Sequence, residues 1–96
     1  MSPLKRKKLS KIRFELDKLD NSLIKLIKKR TNLVKKVLAL KDKKNQIIDQ
    51  KRIKKILNNI KKKSLKNNID PKITNRIWKN MIWSYIDFER RNFKKK

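Results

Sequence analysis

The sequence predicts an all-α fold of three helices, long, short and medium, in an intertwined helical homodimer. Apolar residues recur at helical spacing along most of the 96 residues, and the two later helix starts carry clear capping residues. A chain of this length forms at most one domain. We place the helical domain at residues 9–92 and expect basic tails at residues 1–8 and 93–96.

The first helix is predicted from about Leu9 to about Lys43, because apolar residues alternate three and four apart and neither Gly nor Pro interrupts them. Such a helix of about 33 residues would be roughly 50 Å long, which exceeds the width of a globule of this size. Its apolar stripe should therefore pack against a second copy, so that each core contains elements of both chains. The stripe consists of Leu9, Ile12, Leu16, Leu19, Leu23, Leu26, Leu33, Val37 and Leu40.

The second helix is predicted to begin after Asp49, beyond a break near residues 44–46, and to run to about residue 63 or 65. Asp49 is a good N-cap because its carboxylate can accept hydrogen bonds from backbone N–H groups of the first turn. Ile48 and Ile53 stand at the two positions of a hydrophobic staple. The apolar face of this helix consists of Ile53, Ile56, Leu57 and Ile60.

The third helix has the clearest start signal. Asp70 can cap it, and Pro71 stands at its first position, where a missing N–H costs nothing. It should reach about Asn92. Its predicted apolar face consists of Ile73, Ile77, Met81, Ile82, Tyr85 and Phe88.

The composition excludes several kinds of chemistry. The chain has no Cys and no His, which excludes disulfides, thiol nucleophiles, imidazole bases and Cys/His zinc clusters. It has no Gly, which excludes the glycine-rich phosphate loops of nucleotide-binding proteins. No apolar run approaches the roughly 18 residues of a membrane span. We therefore expect a cytoplasmic protein with no cofactor, no metal and no membrane partner.

The net charge is strongly positive. Thirty-two Lys and Arg residues face eight Asp and Glu residues, for a net charge of +24. Lys, Ile and Asn make up half of the chain, so an AT-rich genome can account for part of this lysine content. The positive field attracts anions, and charge alone leaves three alternatives open: nucleic-acid binding, binding of a small anion, or a merely basic surface.

Three cations of the first helix are candidate anion ligands. Arg30 interrupts the apolar seam, so its guanidinium extends to solvent, pairs with an acid of the core, or offers a planar fork to a carboxylate ligand. Lys41 lies on the same predicted face, about 16 Å farther along the axis. Arg13 is roughly 25 Å from Arg30 on this helix, so the two can reach one ligand only from different chains of a dimer. Solvent exposure is the simpler alternative for Arg13 and Lys41.

Two charged residues of the later helices are also candidates. Glu89 is one of only two glutamates and shares a line with Trp78, Ile82 and Tyr85, which is an unusual place for a carboxylate. It is either a structural partner for a lysine or part of a site. Arg52 stands in the first turn of the second helix, where a cation is mildly unfavourable and a bound anion would compensate. An exposed arginine without a ligand is the simpler alternative.

A family resemblance follows from segments that occur in order along the three helices. In their order and spacing, the chain resembles the all-α chorismate mutases over about residues 10–92. The resemblance implies an intertwined helical dimer and the rearrangement of chorismate to prephenate in phenylalanine and tyrosine biosynthesis. The segments are residues 12–20 (IRFELDKLD), 26–34 (LIKKRTNLV), 41 (K), 47–52 (IIDQKR), 70–73 (DPKI) and 86–89 (IDFE).

The implied reaction suits a chain without His or Cys, because a pericyclic rearrangement requires no nucleophile, metal or acid–base shuttle. Catalysis consists of holding the reactive conformer and stabilising charge on the breaking ether oxygen. By position, Arg30 and Arg13 of the partner subunit would bind the two carboxylates, and Lys41 would donate to the ether oxygen and a carboxylate. Glu89 stands where many members have a Gln that donates to that oxygen.

The resemblance also implies that the backbone of Asp49 and the side chain of Arg52 line the site. Two residues depart from the family pattern. Ile53 stands where a Glu usually binds the substrate hydroxyl, and Tyr85 replaces a small hydroxyl residue four positions before Glu89. Both departures resemble isochorismate pyruvate lyase, a sister activity on this fold whose substrate carries its hydroxyl elsewhere on the ring.

The principal prediction is therefore a chorismate mutase, an isomerase. The first alternative is a salicylate-forming isochorismate pyruvate lyase, or an enzyme with both activities. The second is a basic helical module that binds nucleic acid or a protein partner, which we do not expect because the chain contains no recognisable nucleic-acid motif. The expected partners are a small dicarboxylate substrate, chorismate, and a second copy of the chain that shares the active sites.

Overall fold

The computed structural model describes residues 1–94, which contain helices and no strand, and the all-α prediction is confirmed. No helix within these residues is long and apolar enough to cross a membrane. The elements in chain order are α1 (Pro3–Leu40), a single 3-10 turn (Lys44–Gln46), α2 (Gln50–Lys66) and α3 (Pro71–Asn92). Lys95 and Lys96, at the end of the predicted C-terminal tail, lie outside the described residues.

The start of α1 corrects the predicted boundary at Leu9. The helix begins at Pro3, so residues 5–8 are helical rather than a separate basic tail. The Ser2 hydroxyl accepts from the backbone N–H of Lys5 at 3.2 Å, and the Ser2 carbonyl accepts from Arg6 at 2.9 Å. Ser2 thus caps a helix that has proline in its first position, as Asp70 does for α3.

The end of α1 is also earlier than predicted. The helix ends at Leu40 instead of Lys43, so Lys41 is the first residue after the helix rather than part of it. The Lys41 backbone N–H still donates to the Leu38 carbonyl at 3.1 Å, a tighter turn than the helical pattern.

The described chain falls into two compact units, residues 1–33 and the residues from 34 onward. The first unit is the N-terminal part of α1. It contains no buried residue, and the predicted stripe is largely open to solvent, as shown by Leu16 at 53%, Leu19 at 60% and Leu33 at 60% exposure. One aromatic ring of this unit is partly covered, because the Lys18 ammonium lies 4.7 Å from the centre of the Phe14 ring.

The second unit has a small apolar core. Ile47 of the connector and Ile82 and Ile86 of α3 form its buried centre. Both predicted staple residues, Ile48 and Ile53, pack against this centre. The predicted face of α3 was incomplete because it omitted Ile86. The other partly buried residues around the core are Leu38, Ile56, Leu57 and Phe93.

The first half of the predicted α3 face does not belong to this core. Ile73 is 56% exposed and Ile77 is 48% exposed. The buried face of α3 is instead set by Ile82 and Ile86, which lie four residues apart and therefore on one side of the helix.

The α2–α3 turn is closed by a backbone cap and a hydroxyl pair. Asn68 adopts a left-handed conformation with φ of 56°, a position that usually takes Gly and that Asn tolerates best among the other residues. Ile69 donates to the Ser64 carbonyl at 2.9 Å and Asn68 to the Leu65 carbonyl at 3.3 Å, the pattern of a Schellman motif. The buried Ser64 hydroxyl lies 2.6 Å from the Thr74 hydroxyl.

Both predicted N-caps are confirmed. The Asp49 carboxylate accepts from the backbone N–H of Arg52 at 3.0 Å, and the Asp70 carboxylate accepts from that of Lys72 at 2.9 Å. The two helix starts that the sequence marks most clearly are therefore fixed by local hydrogen bonds.

We predict that Asn68→Ala lowers the free energy of unfolding by about 1 kcal/mol, because Ala pays the steric cost of the left-handed conformation. Asn68→Gly should preserve the wild-type value, since Gly adopts this conformation without strain. Urea unfolding of the three proteins measures the difference. Asn58→Ala, on the exposed face of α2, is the control and should not destabilise. Equal stability of Asn68→Ala and wild type would contradict the assigned cap.

Candidate active site

A buried ion pair between Lys41 and Glu89 is the most distinctive polar feature of the second unit. The Lys41 ammonium donates to both Glu89 oxygens, with Nζ at 3.1 Å from Oε1 and 3.2 Å from Oε2. The Glu89 side chain is only 7% exposed and that of Lys41 is 18% exposed. The structure thus brings together two residues that are 48 positions apart and that the sequence analysis selected independently.

The position of Glu89 follows from the register of α3. It lies three residues after Ile86 and seven after Ile82, on the buried side of the helix. A carboxylate removed from water requires a cation or hydrogen-bond donors. The Lys41 ammonium supplies both, while the aliphatic stem of the lysine can pack against apolar neighbours. No buried side-chain nitrogen or oxygen within residues 1–94 lacks a hydrogen-bond partner.

The connector after Lys41 is folded back by Gln46. Its side-chain oxygen accepts from the backbone N–H groups of Asp42 at 2.7 Å and Lys43 at 2.9 Å. The Gln46 backbone N–H in turn donates to the Lys43 carbonyl at 3.0 Å. Ile47, only 4% exposed, then anchors the connector in the core. Side-chain and backbone contacts therefore fix the segment that carries Lys41.

The start of α2 contributes Asp49, Arg52 and Ile53. The Asp49 carboxylate accepts from the backbone N–H of Arg52 as the helix cap, and the role of its backbone in the site remains a prediction. Arg52 is exposed, and Ile53 is half-buried and packs against the core. Tyr85 is half-buried on α3, one turn before Glu89.

An open cavity of about 530 Å³ lies between the end of α1, the connector and the start of α2. Two predicted site residues, Lys41 and Asp49, line it. Gln46 and Lys51 also line it and were not selected from the sequence. Lys51 belongs to a lysine-rich run, so it does not stand out. No neighbouring residue indicates that the Gln46 side chain accepts hydrogen bonds from the connector backbone. Among the described residues, the lining consists of Val37, Leu40, Lys41, Gln46, Ile48, Asp49, Gln50 and Lys51.

Arg13 and Arg30 belong to the first unit. Arg13 is exposed on α1, and Arg30 is half-buried. Partial burial of Arg30 agrees with its place in the apolar seam. The proposed roles of these two residues in binding carboxylates remain predictions.

The second unit therefore combines a buried ammonium–carboxylate pair with an open cavity that has Lys41 in its wall, on an all-α scaffold. The chain matches the family model described as chorismate mutase type II over residues 12–90. This match extends from the first helix to the last turns of the third, and it includes all eight predicted site residues. The chain belongs to the type II chorismate mutase family. No curated protein and no solved structure matches it.

We predict a strong energetic coupling between Lys41 and Glu89. Lys41→Met should lower the free energy of unfolding by about 2 kcal/mol or more, because it leaves a buried carboxylate without its cation. The double variant with Glu89→Met should recover part of this loss. Urea unfolding of the four proteins in this cycle measures the coupling.

The exposed ion pair between Arg91 and Asp87, at 3.0 Å, provides the matched control. Its side chains are 64% and 67% exposed, so Arg91→Met and Asp87→Leu should show a coupling of about 0.5 kcal/mol or less. If the two cycles gave similar coupling free energies, the buried pair would be no stronger than an exposed one, and the prediction would be wrong.

Proposed function

We propose that this protein is a chorismate mutase that rearranges chorismate to prephenate for phenylalanine and tyrosine biosynthesis. The observation that carries the proposal is the buried Lys41–Glu89 pair beside an open cavity, in a chain that belongs to the type II chorismate mutase family. The reaction is intramolecular and pericyclic, so the protein has to supply shape and charge rather than a nucleophile.

Lys41 supplies the positive charge where the ether bond breaks. Its ammonium has three donor hydrogens, and it donates to both Glu89 oxygens. Bound substrate would compete for these hydrogens through its ether oxygen and a carboxylate. A cation held in a largely buried position stabilises developing negative charge more strongly than one in water.

Arg30 and Arg13 of the partner subunit are proposed to bind the two substrate carboxylates. A guanidinium binds a carboxylate with two parallel hydrogen bonds, which fixes the orientation as well as the position of the ligand. Together with Lys41, these cations would hold the dicarboxylate in its reactive conformer. The backbone of Asp49 and the side chain of Arg52 are proposed to complete the wall at the start of α2.

Isochorismate pyruvate lyase activity is the second candidate, and Ile53 and Tyr85 favour it. Ile53 packs its side chain against the apolar core, so this position offers no hydrogen-bond acceptor to the substrate hydroxyl. With an aliphatic residue here, the site lacks one interaction that would select chorismate over isochorismate. The charged residues proposed to bind the dicarboxylate serve either substrate.

Product analysis with each substrate tests these two functions. We expect purified protein to convert chorismate to prephenate, and any lyase activity to release salicylate and pyruvate from isochorismate. The Lys41→Met variant, compared at a temperature where it is folded, should lose most of the activity. If the folded wild-type protein converts neither substrate, the proposal is wrong and the basic binding module becomes the leading alternative.

We predict that Glu89→Gln raises the activity. The Gln amide can donate a hydrogen bond to the ether oxygen and carries no charge. The Glu89 carboxylate, which accepts from Lys41 in the structure, repels the negative charge that develops on that oxygen. The value of kcat/KM, measured for both proteins under the same conditions, should therefore be higher for Glu89→Gln.

A folded Glu89→Gln variant that is slower than wild type would contradict this assignment. Glu89 would then act only as the structural partner of Lys41.

We also propose a homodimer with shared sites, because α1 leaves so much apolar surface uncovered. All of α1 is described, and none of its residues is buried. Soluble monomers rarely expose an apolar surface this extensive. Apolar stripe residues at least half exposed include Leu16, Leu19, Leu23, Leu26, Leu33, Val37 and Leu40.

Subunit mixing tests the shared site. Arg13→Ala and Arg30→Ala should each be inactive as homodimers, because each removes a carboxylate ligand from every site. Unfolding and refolding the two variants together should restore part of the wild-type activity, since one site of each heterodimer would have both arginines. Heterodimers without recovered activity, or a fully active monomer, would contradict the arrangement.

A further inference from the structure

We propose that Gln46 is a positioning residue that acts through Lys41. It holds the connector so that the Lys41 ammonium is positioned against Glu89 before any ligand binds. The expected effect on catalytic rate rests on the proposed function. The effect on the position of Lys41 does not, because it can be measured without substrate.

The Gln46 side chain is hydrogen-bonded to the backbone immediately after Lys41. Its Oε1 accepts from the N–H of Asp42 at 2.7 Å and of Lys43 at 2.9 Å, the two peptide groups that follow Lys41. On the other side, the Lys41 N–H is bound to the Leu38 carbonyl at 3.1 Å. The backbone is thus restrained both before and after the residue that carries the ammonium.

These restraints matter because Lys41 lies outside the helix. Helix α1 ends at Leu40, so helical hydrogen bonding does not fix the segment that follows. A lysine side chain loses up to about 2 kcal/mol of conformational freedom when it is ordered. Fixing its backbone in advance lowers the additional cost of placing the ammonium, and small displacements of such groups can reduce rates by up to about 100-fold.

Gln46 also has a suitable location for this role. It lines the same cavity as Lys41, and the next residue, Ile47, is anchored in the core at 4% exposure. The acceptor is therefore adjacent to a fixed residue and reaches back to residues 42 and 43, which are exposed, as Gln46 itself is. An amide oxygen can accept two hydrogen bonds at once, which is what the two N–H groups require.

The kinetic test compares variants that keep or remove the acceptor. Gln46→Met has similar length and no oxygen, and we expect it to lower kcat/KM about tenfold with the larger part in kcat. Gln46→Glu retains the acceptor oxygens and should stay within about threefold of wild type. Asn45→Met, at an exposed position in the same 3-10 turn but outside the cavity lining, is the control and should match wild type.

A double variant separates positioning from a general structural role. If Gln46 acts through Lys41, adding Gln46→Met to Lys41→Met should not lower the residual rate further. A Gln46→Met protein that is less stable but fully active would show that Gln46 only closes the connector. Multiplicative losses in the double variant, or a Gln46→Glu variant as slow as Gln46→Met, would also overturn the proposal.

A substrate-free measurement keeps this inference separate from the proposed reaction. The coupling free energy between Lys41 and Glu89, obtained from urea unfolding, should fall to less than half when the cycle is repeated in Gln46→Met. An unchanged coupling would overturn the positioning role whatever reaction the protein catalyses. Conversely, inactivity of wild type toward both substrates would reject the proposed function and leave this measurement valid.

Discussion

The buried carboxylate of Glu89 is the constraint on which the second unit depends. An ionised carboxylate at 7% side-chain exposure is tolerated only with a cation beside it. Lys41 meets that need from a distant part of the chain, so the residue that follows α1 is held beside the last turns of α3. A buried ion pair is weak evidence for stability in itself, and we therefore look for its role in the site.

Several contacts fix the connector that follows Lys41. Gln46 holds the peptide groups after Lys41, Ile47 anchors the connector, and Asp49 caps the helix that begins immediately afterwards. These contacts place a lysine, a helix N-terminus and a cavity side by side. That combination suits a small anion, because Lys51 and Lys41 both line the cavity and the first turn of a helix carries a partial positive charge.

Local signals in the sequence predicted the helices well. They predicted the contacts between helices less well. Asp49 and Asp70 marked true helix starts because capping involves only neighbouring residues. The same logic applied to Ser2 and Pro3 would have extended α1 to its actual start. Lys41 and Glu89 were selected separately, but their contact depends on helix packing that periodicity alone does not determine. Gln46 was missed because the sequence does not distinguish a connector residue whose side chain binds the backbone from one whose side chain is solvated.

If the Lys41–Glu89 pair is the centre of the active site, a crystal structure with a bound transition-state analogue will show it. The informative ligand is a stable bicyclic dicarboxylate ether that imitates the transition state of the rearrangement. We expect its ether oxygen within hydrogen-bond distance of Lys41 Nζ, with Glu89 beside the same oxygen and the Lys41–Glu89 contact rearranged. A ligand bound elsewhere, with that ion pair unchanged, would contradict this role of the pair.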